Sequence, residues 1–300
     1  MPRSNTDKKK GTQSTQGARS RRTLHFFSAC SACSAFFFVA AAPSQIRYAS
    51  GQNVAPVFEG WERNADGSFN FVFGYMNRNY EEEVDIPVGP NNAVEPAVGP
   101  GGADQNQPAH FYPRRQQYVF KVRVPGDWGK KDLVWTLTSH GKTEKAFATL
   151  LPTWEIDVGT YQQNRGGPGE LGEEDDPPSI RLEGSPRRTV AVGSALGFDA
   201  FVVDDGRPSN RPSQSGSNAR VEGPLSQAVV RLDRGVRLGV IWVVYRGDAR
   251  AVTFDPRKIP VVDGKASTKV TFKAPGTYTL RAYADDGIFV SAADVTVTVR

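Results

Sequence analysis

The sequence predicts an all-β protein: two antiparallel β-sandwich domains behind an N-terminal signal peptide. Three observations carry that expectation. Apolar and polar residues alternate in short runs, as Phe69, Phe71, Phe73 and Tyr75 do early on and Val295, Val297 and Val299 do at the end. A period of two with one apolar face is a half-buried strand. Asp66-Gly67 and Asp285-Asp286-Gly287 punctuate such runs, which is turn chemistry. Residues 54–150 show no convincing 3.6-residue period.

Taken in order, the chain opens on a basic segment. Seven basic residues (Arg3, Lys8, Lys9, Lys10, Arg19, Arg21, Arg22) against Asp7 give residues 1–42 a charge of +6, so the rest of the +5 chain carries −1. A near-neutral body argues against nucleic-acid binding, which needs clustered Lys and Arg. The basic end instead precedes an apolar run from Leu24 to Ala42, the pattern of a signal peptide over residues 1–42, cleaved near Ala41 to Ser44. Ser20-Arg21-Arg22-Thr23-Leu24 partly resembles a twin-arginine export signal, from which His25 and Phe26 depart. The alternative is an uncleaved anchor, the one case in which the chain would meet a membrane. Cys30 and Cys33 lie inside the apolar run, a poor place for a redox or metal pair. With the segment removed no cysteine remains, and stability must come from core burial.

The first globular region spans 52–156. Its strands are expected at Phe69–Tyr75, Val84–Val88, Phe120–Val124, Leu133–Thr138 and Thr143–Leu150, with a Gly/Pro/Asn-rich loop over 89–108. Residues 157–178, with Gly166-Gly167-Pro168-Gly169 and Glu173-Glu174-Asp175-Asp176-Pro177-Pro178, are expected to be a flexible acidic linker. The second region, 179–300, offers about seven strands, a polar insertion at 207–226, and the closing hairpin from Tyr278 to Val299. In that hairpin Tyr278, Leu280, Ala282 and Ala284 are expected inward, with Arg281 and Tyr283 outward. The run from Val240 to Tyr245 is apolar on both faces, which implies contact with the first region or with another chain.

Two resemblances add to this reading. Pro177-Pro178, Val192-Gly193, Val203-Asp204-Asp205-Gly206, Trp242, Pro275-Gly276-Thr277-Tyr278 and the closing Val-Thr-Val-Thr-Val resemble PKD and related immunoglobulin-like sandwiches. That likeness implies a tyrosine corner, with the Tyr278 hydroxyl reaching back to the backbone. In the first region Asn64 to Phe69, Phe73 to Asn79, Ile86 to Asn92, Gln107 to Arg115 and Leu133 to Leu137 resemble a module of exported bacterial proteins. That resemblance implies surface or extracellular placement and no assigned chemistry.

Enzyme readings are weak. Beyond the signal segment only His110 and His140 remain, without cysteine or a G-x-S-x-G elbow. His140 stands before Gly141 and reads as a turn residue; His110 reads as a packing residue beside Phe111. The acidic run Glu81, Glu82, Glu83 and Asp85 could supply the paired carboxylates of glycoside cleavage, but reads more simply as a solvated strand edge. No catalytic residue is assigned. Asp204, Asp205, Asp285 and Asp286 fall in two loops that an immunoglobulin-like order brings to one end, a setting for structural calcium; the competing reading is that Asp-Asp-Gly makes a turn by itself. Trp128, flanked by Gly126-Asp127 and Gly129-Lys130, and Tyr112 are the candidate glycan-stacking rings, with Trp61, Tyr80 and Trp154 behind them. The expectation is an exported, non-catalytic interaction or structural protein of the periplasm, cell surface or extracellular space, partnered by an envelope protein or glycan. The alternative is a carbohydrate-binding accessory module or weak glycan-active enzyme.

Overall fold

The computed structural model describes residues 47–165, 175–207, 232 and 236–300. The expected signal segment, with Cys30 and Cys33, and the insertion beyond residue 207 lie outside the described residues, as do residues 166–174. Residues 46–300 form one compact unit, all-β and built of two antiparallel sandwiches. Among the described residues no helix is long and apolar enough to cross a membrane.

The first sandwich uses β1 (Val54–Arg63), β2 (Phe69–Asn77), β3 (Val84–Asp85), β4 (Asn92–Glu95), β5 (His110–Phe111), β6 (Arg114–Val124), β7 (Leu133–Ser139) and β8 (Lys142–Ala148). One sheet has the order β1-β2-β6, the other β4-β7-β8, and β3-β5 form a short ribbon. The β1–β2 hairpin turns where the sequence places it. Asp66 Oδ1 accepts from the Ser68 amide at 3.2 Å, and Gly67 takes a φ of +83° that a side chain would resist. Phe71, Phe73 and Tyr75 point into the core. Phe73 stacks on Phe120 at 5.1 Å, and Trp135 meets Phe120 edge-on at 4.8 Å, a geometry aromatic rings favour. The opposite face of β2 is covered too: Val72 packs with Tyr118, Ile156, Tyr161, Ile288 and Phe289.

Tyr161 belongs to helix α1 (Val158–Arg165), which corrects the expected linker at its start. Asp157 caps the helix, its Oδ1 accepting from the Thr160 amide at 2.7 Å. The Tyr161 ring then buries against Tyr118 and Phe289, and its hydroxyl donates to Glu62. Burying that ring anchors a segment whose composition reads as polar.

The second sandwich comprises β9 (Ser179–Leu182), β10 (Arg187–Val190), β11 (Ala195–Val203), β12 (Gly239–Arg246), β13 (Val252–Asp255), β14 (Lys258–Pro260), β15 (Lys265–Phe272), β16 (Gly276–Asp285) and β17 (Val290–Val299). Its sheets run β13-β15-β11-β9 and β10-β17-β16-β12-β14. The leading segment joins both sheets, since β9 pairs antiparallel with β11 and β10 pairs parallel with β17. With β12, β16 and β17 side by side, this is an immunoglobulin-like arrangement. Two of its hallmarks are present. Trp242 on β12 is fully buried and packs on Phe198 at 5.2 Å. The Tyr278 hydroxyl donates to the Ala274 carbonyl at 2.9 Å, so the expected tyrosine corner is formed. Leu280, two residues on, stands where such domains place the second cysteine of their disulfide. Packing replaces the cross-link there.

The closing hairpin pairs Tyr278 with Val297 and Leu280 with Val295, and closes through Asp286–Phe289. Its outward face departs from expectation, because Arg281 and Tyr283 are only 3% and 4% exposed. They lie on the first sandwich. Arg281 is held by Asp294 through Nε to Oδ1 at 2.7 Å and Nη2 to Oδ2 at 2.8 Å. Its third nitrogen donates to the Val119 carbonyl at 2.7 Å, and its guanidinium sits 3.5 Å from the centre of the Tyr245 ring. Tyr112, Val243 and Tyr283 form a small apolar cluster beside it. The doubly apolar β12 therefore faces the first sandwich.

Two substitutions separate the local hallmark from the long-range lock. Tyr278→Phe removes one hydrogen bond and is expected to cost about 1 kcal/mol. Arg281→Ala breaks a buried ion pair and leaves the Val119 carbonyl with the longer hydrogen bond from the Tyr283 hydroxyl, at 3.4 Å, for roughly 3–5 kcal/mol, toward the lower end because the Asp294 side chain remains 31% exposed. Denaturant unfolding of both variants measures the difference; an Arg281→Ala cost no larger than that of Tyr278→Phe would refute the lock.

Candidate functional site

A concentration of ionisable groups lies where the sandwiches meet, along residues 82–91. A cavity of about 570 Å³ is bounded there by Glu82, Glu83 and Asp85 from the first sandwich, His140 at the end of β7, and Arg250 from the second. A second cavity of about 520 Å³ shares Asp85, Pro87 and Val88 with it and reaches Arg246 and Asp248. Both described histidines pair with the acidic run. His140 Nε2 stands 3.2 Å from Glu82 Oε1, and Glu82 also accepts from the Gly51 amide. His110, 3% exposed, is clamped on both ring nitrogens: Nδ1 lies 2.7 Å from Asp85 Oδ1 and Nε2 lies 3.1 Å from Glu83 Oε2.

The run expected to be a solvated strand edge is thus largely committed to ion pairing. The β3–β5 pairing sets Asp85 opposite His110, and Glu83 reaches the same ring from the far side. Burial works against a charged His110, but the hydrogen bonds to Asp85 and Glu83, together with their charges, outweigh it and raise its pKa. The hydrogen bond from His110 in turn is the largest cause of a lowered Glu83 pKa. A glycosidase acid needs the reverse, a carboxyl held protonated by burial. Glu83 is shifted the other way, and it and Asp85 are both engaged with one buried imidazole ring.

The candidate stacking rings require correction. Trp128 is 5% exposed; it meets Phe71 edge-on at 6.0 Å, and its indole donates to the Lys131 carbonyl at 2.7 Å. Despite its glycine-flanked loop, it covers the edge of the core. Tyr112 is 7% exposed. Its hydroxyl accepts from the Val244 amide at 2.9 Å, and Arg257 lies over its ring. Burial pushes its pKa up to about 12. The tryptophan that stays accessible is Trp154, 45% exposed, in a stretch with exposed Phe147 and Leu151.

Asp204, Asp205, Asp285 and Asp286 are occupied with their own turns. Asp204 Oδ2 accepts from the Gly206 amide, Asp205 Oδ1 from the Arg207 amide and Asp285 Oδ1 from the Gly287 amide. Asp286 Oδ1 accepts from the amides of Ile288 and Phe289, each at 2.7 Å. Residues 175–176 lie by both turns: the Asp176 amide donates to Asp205 Oδ2, and the Asp175 carboxylate repels that of Asp286. Among the described residues no group of three or more His, Cys, Asp or Glu side chains is gathered so as to hold a metal ion. Burial, then the charges of Asp175 and Asp285, push the Asp286 carboxyl up to about 7 against the opposing amides.

No known protein family matches the sequence, and no curated protein matches it. Solved structures do resemble it. Titin domain M7 aligns at 9% identity over 43% of this chain and 99% of its own, with a TM-score of 0.25. Domains 4 and 5 of the S-layer protein SbsC align at 11% over 61% and 69%, also at 0.25. Immunoglobulin domains 1–4 of Sidekick-1 align at 8% over 84% and 51%, at 0.24. The immunoglobulin-like description rests on the strand order, Trp242 and the Tyr278 corner rather than on these alignments.

Asp286→Asn gives a test with a definite sign. A folded-state carboxyl pKa near 7 against about 3.9 unfolded means that ionisation opposes folding. Stability is highest below the unfolded value and is lost as pH rises toward 7. Asparagine keeps the Oδ1 acceptor without the buried charge. Asp286→Asn is expected to raise the melting midpoint by roughly 5 °C at about pH 8 and to leave it unchanged at about pH 4. A bound cation at these turns would instead make the substitution destabilising in calcium.

Proposed function

We propose that this chain is an exported, non-catalytic interaction or structural module of the cell envelope or extracellular space, with a PKD/immunoglobulin-like sandwich at its C-terminal end. The observation that carries this reading is the junction. Arg281, Tyr112 and Tyr245 fasten one sandwich to the other, and His110 is clamped between two carboxylates of the first, so the groups with chemical potential act as scaffold. Such a unit suits presenting a surface at a fixed geometry. Export rests on the basic, then apolar, first 42 residues.

A second reading, glycan binding, draws on Trp154, which packs on Phe58 yet stays 45% exposed and so is open to a sugar where the buried Trp128 is not.

Two measurements test these readings. Fused to a phosphatase active only outside the cytoplasm, residues 1–50 should give an active reporter, and replacing the apolar run with polar residues should silence it. The mature chain, immobilised against purified envelope glycans and solubilised envelope proteins, should retain a specific component without releasing new reducing ends. Release of reducing ends would overturn the non-catalytic reading. Loss of glycan retention on Trp154→Ala would favour the second reading.

A further inference from the structure

We propose that His110 is a proton-operated latch beside the junction: its protonated ring, clamped between Asp85 and Glu83, holds β5 on β3 and so keeps residues 104–112 in place against the edge of β12, and loss of the proton loosens that segment from β12. The argument begins with that edge. β14 pairs only with Gly239 to Ile241 of β12. Farther along, the backbone groups of β12 turn to the first sandwich. The Val244 amide donates to the Tyr112 hydroxyl at 2.9 Å, and the Ala109 amide donates to the Tyr245 carbonyl at 3.1 Å. The Tyr245 hydroxyl donates to the Asn106 carbonyl. Arg246 donates to the Gln107 carbonyl and pairs with both oxygens of Asp104 at 2.8 Å. Residues 104–112 thus continue where β14 stops.

His110 lies within this segment, and its ring is what ties it to β3 and the acidic run. The groups that face it are Asp85 on β3, Glu83 just before β3, and Tyr112, whose ring meets the imidazole edge-on at 4.6 Å. Arg257, from the turn between β13 and β14, lies over Tyr112 and acts on Glu83; Tyr283 stands with Tyr112 in the apolar cluster. An imidazolium donates from both nitrogens, which two acceptor-only carboxylates require. A neutral ring donates from one and turns a lone pair toward the other carboxylate. The hydrogen bond to Glu83, at 3.1 Å against 2.7 Å for that to Asp85, is the longer and weaker of the two and breaks first.

The signs follow. Because the folded pKa of His110 is raised, its contribution is complete below the ordinary histidine range and is lost as pH rises through the raised value. Because that of Glu83 is lowered, its contribution is present above the ordinary carboxylate range and lost only in acid. The latch is tightest between about pH 5 and about pH 6.5.

Hydrogen–deuterium exchange of the full chain at about pH 6 and about pH 8.5, corrected for intrinsic chemical exchange, tests it. Peptides covering 104–112 and 242–246 should exchange faster at the higher pH, by about tenfold for each unit by which the clamped ring's pKa exceeds that of the released ring, while those from the centre of β2 stay constant. Peptides over 285–290 report Asp286 and are read separately. His110→Gln should make exchange over 104–112 independent of pH. Should that variant fail to fold, Glu83→Gln keeps the ring and should move the onset of loosening to lower pH. Unchanged corrected exchange over 104–112 in the parent, or a pH response that persists in His110→Gln or is unmoved in Glu83→Gln, would overturn the latch.

Discussion

The buried guanidinium of Arg281 is the constraint on which the rest of the arrangement depends. It stands on β16, whose other face belongs to the core of the second sandwich. Taking an arginine out of water is expensive, and the cost is offset only when its donors are satisfied with good geometry. Asp294 satisfies two nitrogens, the Val119 carbonyl takes a third, and the Tyr245 ring covers the face. Asp294 and Tyr245 are on the second sandwich; the carbonyl is on the first. The charge is fully housed only when the two sandwiches are together, so a residue that reads as the polar side of a strand specifies their register.

How much of this was legible in the sequence follows from the range of each interaction. The closing hairpin, the alternation of Phe71, Phe73 and Tyr75, the corner made by Tyr278 and the place of Trp242 are written in a few adjacent residues, because strand periodicity and turn chemistry are local. The junction is not. Val119 and Arg281 are 162 positions apart, Tyr112 and Val244 are 132 apart, and Glu83 and His110 are 27 apart. Nothing in the composition of an acidic run says that a single histidine will be inserted between two of its carboxylates. The doubly apolar β12 was the one sequence signal that pointed across the gap, since a strand with two apolar faces must be covered twice.

Trp128 and α1 show where local reading misleads. Glycines on both sides of a tryptophan suggest an exposed tip, yet the same freedom lets the chain fold the ring back over Phe71, where its indole finds the Lys131 carbonyl. In α1, low apolarity hides the single residue that decides its position, Tyr161, whose ring buries against both sandwiches. In each case one large side chain with a polar tip outweighs the character of its surroundings.

Covering β12 also resolves a problem that any short edge strand creates. β14 is three residues long, and beyond it the exposed backbone of β12 would be a template for pairing with another chain. The first sandwich blocks that template with the Tyr112 hydroxyl, the Ala109 amide and the Gln107 carbonyl, on which Arg246 of β12 turns back. These are side-chain and single-residue contacts rather than a ladder, so they satisfy the edge without extending the sheet. Detached, the second sandwich would present Val243, Tyr245 and Tyr283 to water beside an unsatisfied edge and an unhoused Arg281, which together describe an aggregation-prone surface. The geometry between the sandwiches is therefore imposed by what each must hide, and α1 reinforces a junction that its neighbours already require.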